Sequence, residues 1–390
     1  MKIEKAIIGL LYLTIVLLFN EQYNFSFLLE KGIYMYHLTA ISAIALFFVQ
    51  NIRKIQTQSL IESKWYFVFL FFLGLSCLFS QDIKVSVAYF SVLLLNVLFY
   101  FVLVQYREYV NLDTLVKVIV LSLLIAIAVS VYDYIALRAE WITFNKSPSY
   151  QTLQSGFSYF ANTAIFSQTF LAVLIPYSIV GNKAGKCWNR IYLIVNLLSV
   201  AFLISTGRVS SIVTFFFSLL ISLMIVKSNK VALKYFFCFI VGLTVFFLVA
   251  PELMYSFYNR FYTRIIERDP ATLEGGFFMQ NIENSVYYIS HNFLFGAGLG
   301  IPTFKMGDYT FVLHGTYFKL FAETGFFSIA AYLFIMCEKV RTMLVGKEFV
   351  FVVFFIGILL SSVYNDFYAR LEFWIYLAVL SLIFNKKICC

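Results

Sequence analysis

Arg260, Arg264 and Arg268 recur at every fourth position of the stretch NRFYTRIIERDP. In a helix that spacing lines them along one side. Such a row suits phosphate oxygens, because each planar guanidinium can engage two of them at once. The plainer reading is a solvated face that pairs with Glu267, Asp269 or lipid headgroups. A further arginine, Arg208, stands in ISTGRVSSIV between two apolar runs with almost no loop. A charge at the centre of a bilayer costs roughly 2.5–3.5 kcal/mol and less near the interface. Arg208 is therefore paired, functional, or snorkelling to the headgroups.

His314 and Glu323 lie in LHGTYFKLFAETGFFS. An imidazole titrates near neutral pH and can take a proton from a hydroxyl, although a lone histidine is more often structural. At about 100° per residue the two side chains fall on nearly opposite sides of a straight helix, so they do not meet within one. Glu323 then needs another partner, and Lys319, four residues earlier, is the candidate. Asp366 and Arg370 in YNDFYARLEF also have the spacing of a helical pair.

The run FLFGAGLG at 293–300 suggests a dinucleotide fingerprint, but it has no strand–helix context and the third glycine is misplaced. Backbone that closely approaches another element or a ligand is the better reading of Gly296 and Gly298. No His, Cys or carboxylate cluster has metal-ligand spacing and no P-loop occurs, so neither metal nor cofactor is expected. The 6 cysteines fall in apolar runs or basic loops, which argues against a disulfide framework or a CxxC metal site.

The elements that must hold these residues are set by composition. Of 390 residues, 62% are hydrophobic and only 13% charged. Soluble domains carry about a quarter charged residues, so a bilayer is the solvent that accepts this chain. Measured against the ~20 residues needed to cross hydrocarbon, twelve apolar runs qualify: 5–20, 33–50, 65–80, 85–104, 115–137, 157–180, 191–206, 209–226, 235–251, 314–337, 349–363 and 371–385. The expected fold is an all-α polytopic membrane protein, one domain over 1–390, with about 12 transmembrane helices. Its basic N-terminal run has no small-residue cleavage site and reads as an uncleaved first span.

The net charge of +9 is spread in small basic clusters between apolar runs. That is the pattern of a positive-inside bias and not of a nucleic-acid surface. It places both termini in the cytoplasm. The segment 252–313 then faces outward and is far longer than the other connections. Its stretches PELMYSFYNRFYTRIIERDP and FFMQNIENSVYYISHN favour helix, with ATLEGG as a turn between them. The expectation is a large helical loop capping the outer face.

Three segments together resemble the O-antigen ligase/polymerase superfamily of bacterial membrane glycosyltransferases. ISTGRVSSIV is similar to that family's short Thr/Ser-x-Arg turn, with Arg208 as its arginine. FGAGLG at 295–300 is similar to its late F-G-x-G-x-G element. HGTYFKLFAETGFFS resembles its His-Asn, Glu-x-Gly signature, through His314, Glu323, Gly325 and Ser328. Gly315 stands where Asn is usual, Ser328 where Gly is usual, and Phe278 where many relatives carry an arginine. The likeness covers about 200–330; the first 190 residues contribute topology only.

The resemblance implies metal-independent transfer of a saccharide from a polyprenyl-pyrophosphate carrier at the periplasmic face of the bacterial inner membrane. Arg208 with Arg260 or Arg264 would hold the pyrophosphate, where developing negative charge needs preorganised cations. His314 would activate or orient the acceptor hydroxyl, and Glu323, Gly296, Gly298 and Gly325 would support the site. A ligase would use a lipid A-core acceptor in lipopolysaccharide biosynthesis. A polymerase would instead join carrier-linked repeat units, and Arg264 with Gly275 fits the Arg-x10-Gly pattern of such enzymes. Ligase is the preferred reading. A lipid-linked oligosaccharide flippase or transporter is the alternative of a different class. It is disfavoured because the two halves show no repeat and the candidate polar residues cluster outside instead of at a midplane.

Overall fold

In a computed structural model the chain is a bundle of helices. It is described over residues 2–18, 35–51, 63–138, 163–181, 186–205, 209–225, 273–306 and 309–388, with a few single positions between 233 and 258. Chain order gives α1 (Lys2–Leu17), α2 (Met35–Asn51), α3 (Lys64–Leu78), α4 (Ile83–Gln105), α5 (Leu112–Arg138), α6 (Thr163–Gly181), α7 (Lys186–Ser205) and α8 (Val209–Ile225). Then follow α9 (Leu273–His291), β1 (Thr303–Met306), β2 (Tyr309–Val312), α10 (Thr316–Val345), α11 (Phe349–Ser361) and α12 (Leu371–Ile388).

Eleven of the twelve apolar runs coincide with a helix; the run 235–251 lies mostly outside the described residues. Within the described residues three helical stretches are long and apolar enough to cross a membrane: Ile83–Gln105, Leu112–Val129 and Thr316–Val345. The other apolar helices are shorter. Helix starts follow local chemistry. The Asp82 carboxylate accepts from the backbone N–H groups of Lys84 and Val85 and opens α4. Asn111 does the same for α5 through Asp113 and Thr114.

α12 is the hub. From Phe373 to Leu380 every side chain is buried, as expected for a helix that is apolar all round. It packs on α4, α6 and α10, while α3 lies along α10, α11 packs against α8 and α6, and α1 pairs with α2 and α5. Trp374, wholly buried, donates its indole N–H to the Tyr368 carbonyl at 2.8 Å and so fixes the loop that precedes α12.

Two expectations for the segment before α10 need correction. Leu273–Gly276, read as part of a turn, form the first turn of α9. The fold is also not purely helical. β1 and β2 make an antiparallel hairpin with Phe304 opposite Phe311, their rings 5.8 Å apart. Its strands are only four residues each, too short for an alternating pattern to stand out in so aromatic a sequence.

Candidate functional site

At one end of the bundle the loop between α11 and α12 meets the start of α10. His314 lies between the end of β2 and the start of α10. Its side chain is 45% exposed, and its Nδ1 sits 3.3 Å from Asp366 Oδ2. Lys319 Nζ donates to the same oxygen at 3.3 Å. Asp366 Oδ1 accepts from the Gly315 N–H at 2.8 Å, so both carboxylate oxygens are engaged. Burial by itself would raise the Asp366 pKa, but the Lys319 ammonium and the His314 contact outweigh it and hold the carboxyl well below the usual carboxylate range. The group is a fixed anion between one lysine and one half-exposed imidazole.

Glu323 lies one turn below Lys319 on α10 and is buried. The expected Lys319–Glu323 bond is not made: Lys319 donates to Asp366. Nor does Asp366 serve Arg370, because its side chain is taken by His314 and Lys319. Glu323 Oε1 instead accepts from the Gly300 N–H at 3.1 Å, and Oε2 accepts from the Tyr368 hydroxyl at 2.5 Å. Burial and the neighbouring Glu323 carboxylate push the Tyr368 hydroxyl pKa well up, which keeps it a donor. Both partners lie far from Glu323 in sequence, so no local spacing could have named them.

The two glycine-bearing motifs form one structural joint. Helix α10 breaks at Gly325, where φ is 76° and ψ −175°, a conformation essentially reserved for glycine. The carbonyls freed there are met by the glycine-rich run. Ala297 N–H donates to Ala322 O and Gly298 N–H to Glu323 O, each at 2.9 Å, while Phe326 N–H donates to Phe293 O at 2.8 Å. Ser76 of α3 adds its hydroxyl to Glu323 O at 2.9 Å. A Cβ on Gly296 would lie 2.3 Å from the Glu323 carbonyl, and one on Gly325 2.2 Å from the Leu294 oxygen. The run approaches another element, as expected of it. Its Ala297, Gly298 and Gly300 N–H groups are spent on α10 and so do not cradle a phosphate.

Two asparagines that sequence reasoning missed complete the frame. Asn281 of α9 binds the backbone of His314 at both ends, accepting from its N–H at 2.8 Å and donating to its carbonyl at 2.9 Å. Asn365 Nδ2 lies within hydrogen-bond distance of the Ser361, Ser210 and Ser211 hydroxyls, at 2.8, 3.2 and 3.2 Å, its two N–H groups shared among them. Ser361 continues to Gln168 of α6 at 3.0 Å, and Gln168 to Thr214 of α8 at 3.0 Å. This network ties the loop carrying Asp366 to the first turn of α8.

Arg208, Arg260, Arg264 and Arg268 lie outside the described residues. Among the described residues no group of three or more His, Cys, Asp or Glu side chains could hold a metal ion. Of the site residues named from sequence, the structure brings together Glu323, Gly296, Gly298 and Gly325 at the α10 joint, and sets His314 against Asp366 instead. Neither a known protein family nor a curated protein matches the chain.

Proposed function

We propose that the chain is a metal-independent membrane glycosyltransferase of the O-antigen ligase type. It moves a saccharide from a polyprenyl-pyrophosphate carrier to a lipid A-core hydroxyl at the periplasmic face of the inner membrane. In this reading the described helices belong to a bundle of about 12 spans, both termini are cytoplasmic, and 252–313 is a periplasmic loop over the His314 end.

The observation that carries the proposal is the partly exposed His314 imidazole with Asp366 at its Nδ1. An anion there favours the tautomer with the proton on Nδ1 and leaves Nε2 as a base, the arrangement used to accept a hydroxyl proton. As the acceptor oxygen attacks the anomeric carbon, its proton passes to His314 and the carrier pyrophosphate departs with the bonding pair. Arg208 with Arg260 or Arg264 takes up the charge on that leaving group. Glu323 and the glycines hold the wall of the site.

The test is a deletion strain complemented with His314→Ala or Arg208→Ala protein that reaches the membrane at normal levels. Loss of surface polysaccharide with long polymer left on the carrier is the expected result. Accumulated single repeat units would instead favour the polymerase reading, which the pattern from Arg264 to Gly275 suggests. Repeat units trapped on the cytoplasmic side would favour a flippase. Full polysaccharide assembly by both variants would remove the catalytic assignment.

A further inference from the structure

His314 falls between the last residue of β2, Val312, and the first of α10, Thr316. It belongs to neither the strand ladder nor the helix ladder, so the element boundaries do not by themselves fix the direction of its side chain. The Asn281 amide supplies the constraint. Its Oδ1 receives the His314 N–H at 2.8 Å and its Nδ2 reaches the His314 carbonyl at 2.9 Å. A planar amide bound to both polar groups of one residue fixes that residue much as a neighbouring strand would. Asn281 is only 5% exposed and faces the bundle from α9. Ser285 one turn on donates to the Asn281 carbonyl at 2.6 Å.

We propose that Asn281 is a positioning residue that sets the His314 imidazole against Asp366 for proton transfer. It links the helix following the arginine segment 260–268 to the acid–base pair. This rests on the glycosyl-transfer reading above. Asn281 touches no reacting group; it acts through the backbone of His314. The imidazole stands only 3.3 Å from Asp366, so a displacement of His314 by about 1 Å would misplace the base. Misplacement on that scale costs up to about 100-fold in rate.

A merely structural role, anchoring α9 in place, is separable because α9 has a second tie, to strand β1. Tyr288 donates its hydroxyl to the Thr303 carbonyl at 3.2 Å and does not bond His314. The experiment compares Asn281→Leu, Asn281→Asp and Tyr288→Phe in full-length protein in lipid nanodiscs. The donor is a polyprenyl-pyrophosphate-linked saccharide, the acceptor a lipid A-core glycolipid, and the folded fraction is measured in parallel.

Asn281→Leu should lower kcat about 10- to 100-fold while the donor KM stays within about threefold. Asn281→Asp keeps the acceptor for the His314 N–H and should recover part of the loss. Tyr288→Phe should stay within about twofold of the parent. Wild-type kcat in Asn281→Leu, or equal losses of kcat and folded fraction in Asn281→Leu and Tyr288→Phe, would overturn the positioning role. If Asn281→Leu does not fold, wild-type kcat in Asn281→Ala, which also removes both bonds to His314, overturns it equally. His314→Ala serves as the reference: its inactivity beside an active Asn281→Leu defeats the positioning role alone, whereas full activity in His314→Ala defeats the transfer reading beneath it.

Discussion

Gly325→Ala tests the joint on which the candidate site is built, whatever reaction it serves. The substitution places a methyl group 2.2 Å from the Leu294 oxygen, 2.4 Å from its carbonyl carbon and 2.5 Å from the Phe295 nitrogen. These are backbone atoms and cannot swing aside as a flexible side chain would. Alanine at φ 76° and ψ −175° adds strain of about 1–3 kcal/mol. If the glycine-rich run is forced away, the bonds Ala297–Ala322, Gly298–Glu323 and Phe326–Phe293 are lost. At about 1 kcal/mol net each, they bring the total to about 4–6 kcal/mol. The assay is thermal unfolding of detergent-solubilised protein, where a fall on the order of 5–10 °C follows from that range. Gly296→Ala strikes the same joint from the other side, with its methyl 2.3 Å from Glu323. The double variant should therefore cost clearly less than the sum of the two. A Gly325→Ala protein as stable as the parent, or strictly additive effects, would refute the joint.

Two further outcomes follow from the same end of the bundle. Asp366 has a folded pKa below its unfolded value of about 3.9, so its pairing stabilises the fold above that pH and is lost as the pH falls below about 4. Asp366→Asn should be less stable than the parent at pH 7 by about 2–3 kcal/mol, below the figure for a fully buried pair because His314 is half exposed. The gap should narrow between pH 5 and pH 3; a gap constant with pH would show that the carboxylate charge is not what stabilises. Glu323→Ala would orphan the Gly300 N–H and the Tyr368 hydroxyl and cost about 2–4 kcal/mol. Glu323→Gln can still bond both, so urea or thermal unfolding should find it close to the parent. Equal losses in the two variants would contradict a hydrogen-bonding role.

The helical, apolar character of the chain was legible from composition alone, because 62% hydrophobic residues leave no polar coat for a soluble globule. Runs of apolar residues located eleven helices, since helix length and hydrophobicity are local properties. The same holds for single residues that stand out against that background: His314, Glu323, Asp366 and the glycines were each visible as departures from an apolar pattern. Their partners were not. Spacing of four offered Lys319 to Glu323 and Arg370 to Asp366, but spacing describes one straight helix. Helix α10 breaks at Gly325, His314 precedes its first turn, and Asp366 arrives on a loop 51 residues after Gly315, whose N–H it binds. Asn281 and Tyr368 carried no local signal, because an amide or a phenol among many gains meaning only from what lies across the interface. Sequence determined which residues are costly to place in an apolar bundle. Tertiary packing alone decided how each is satisfied, because the low-dielectric interior demands a partner and chain topology determines which one is within reach.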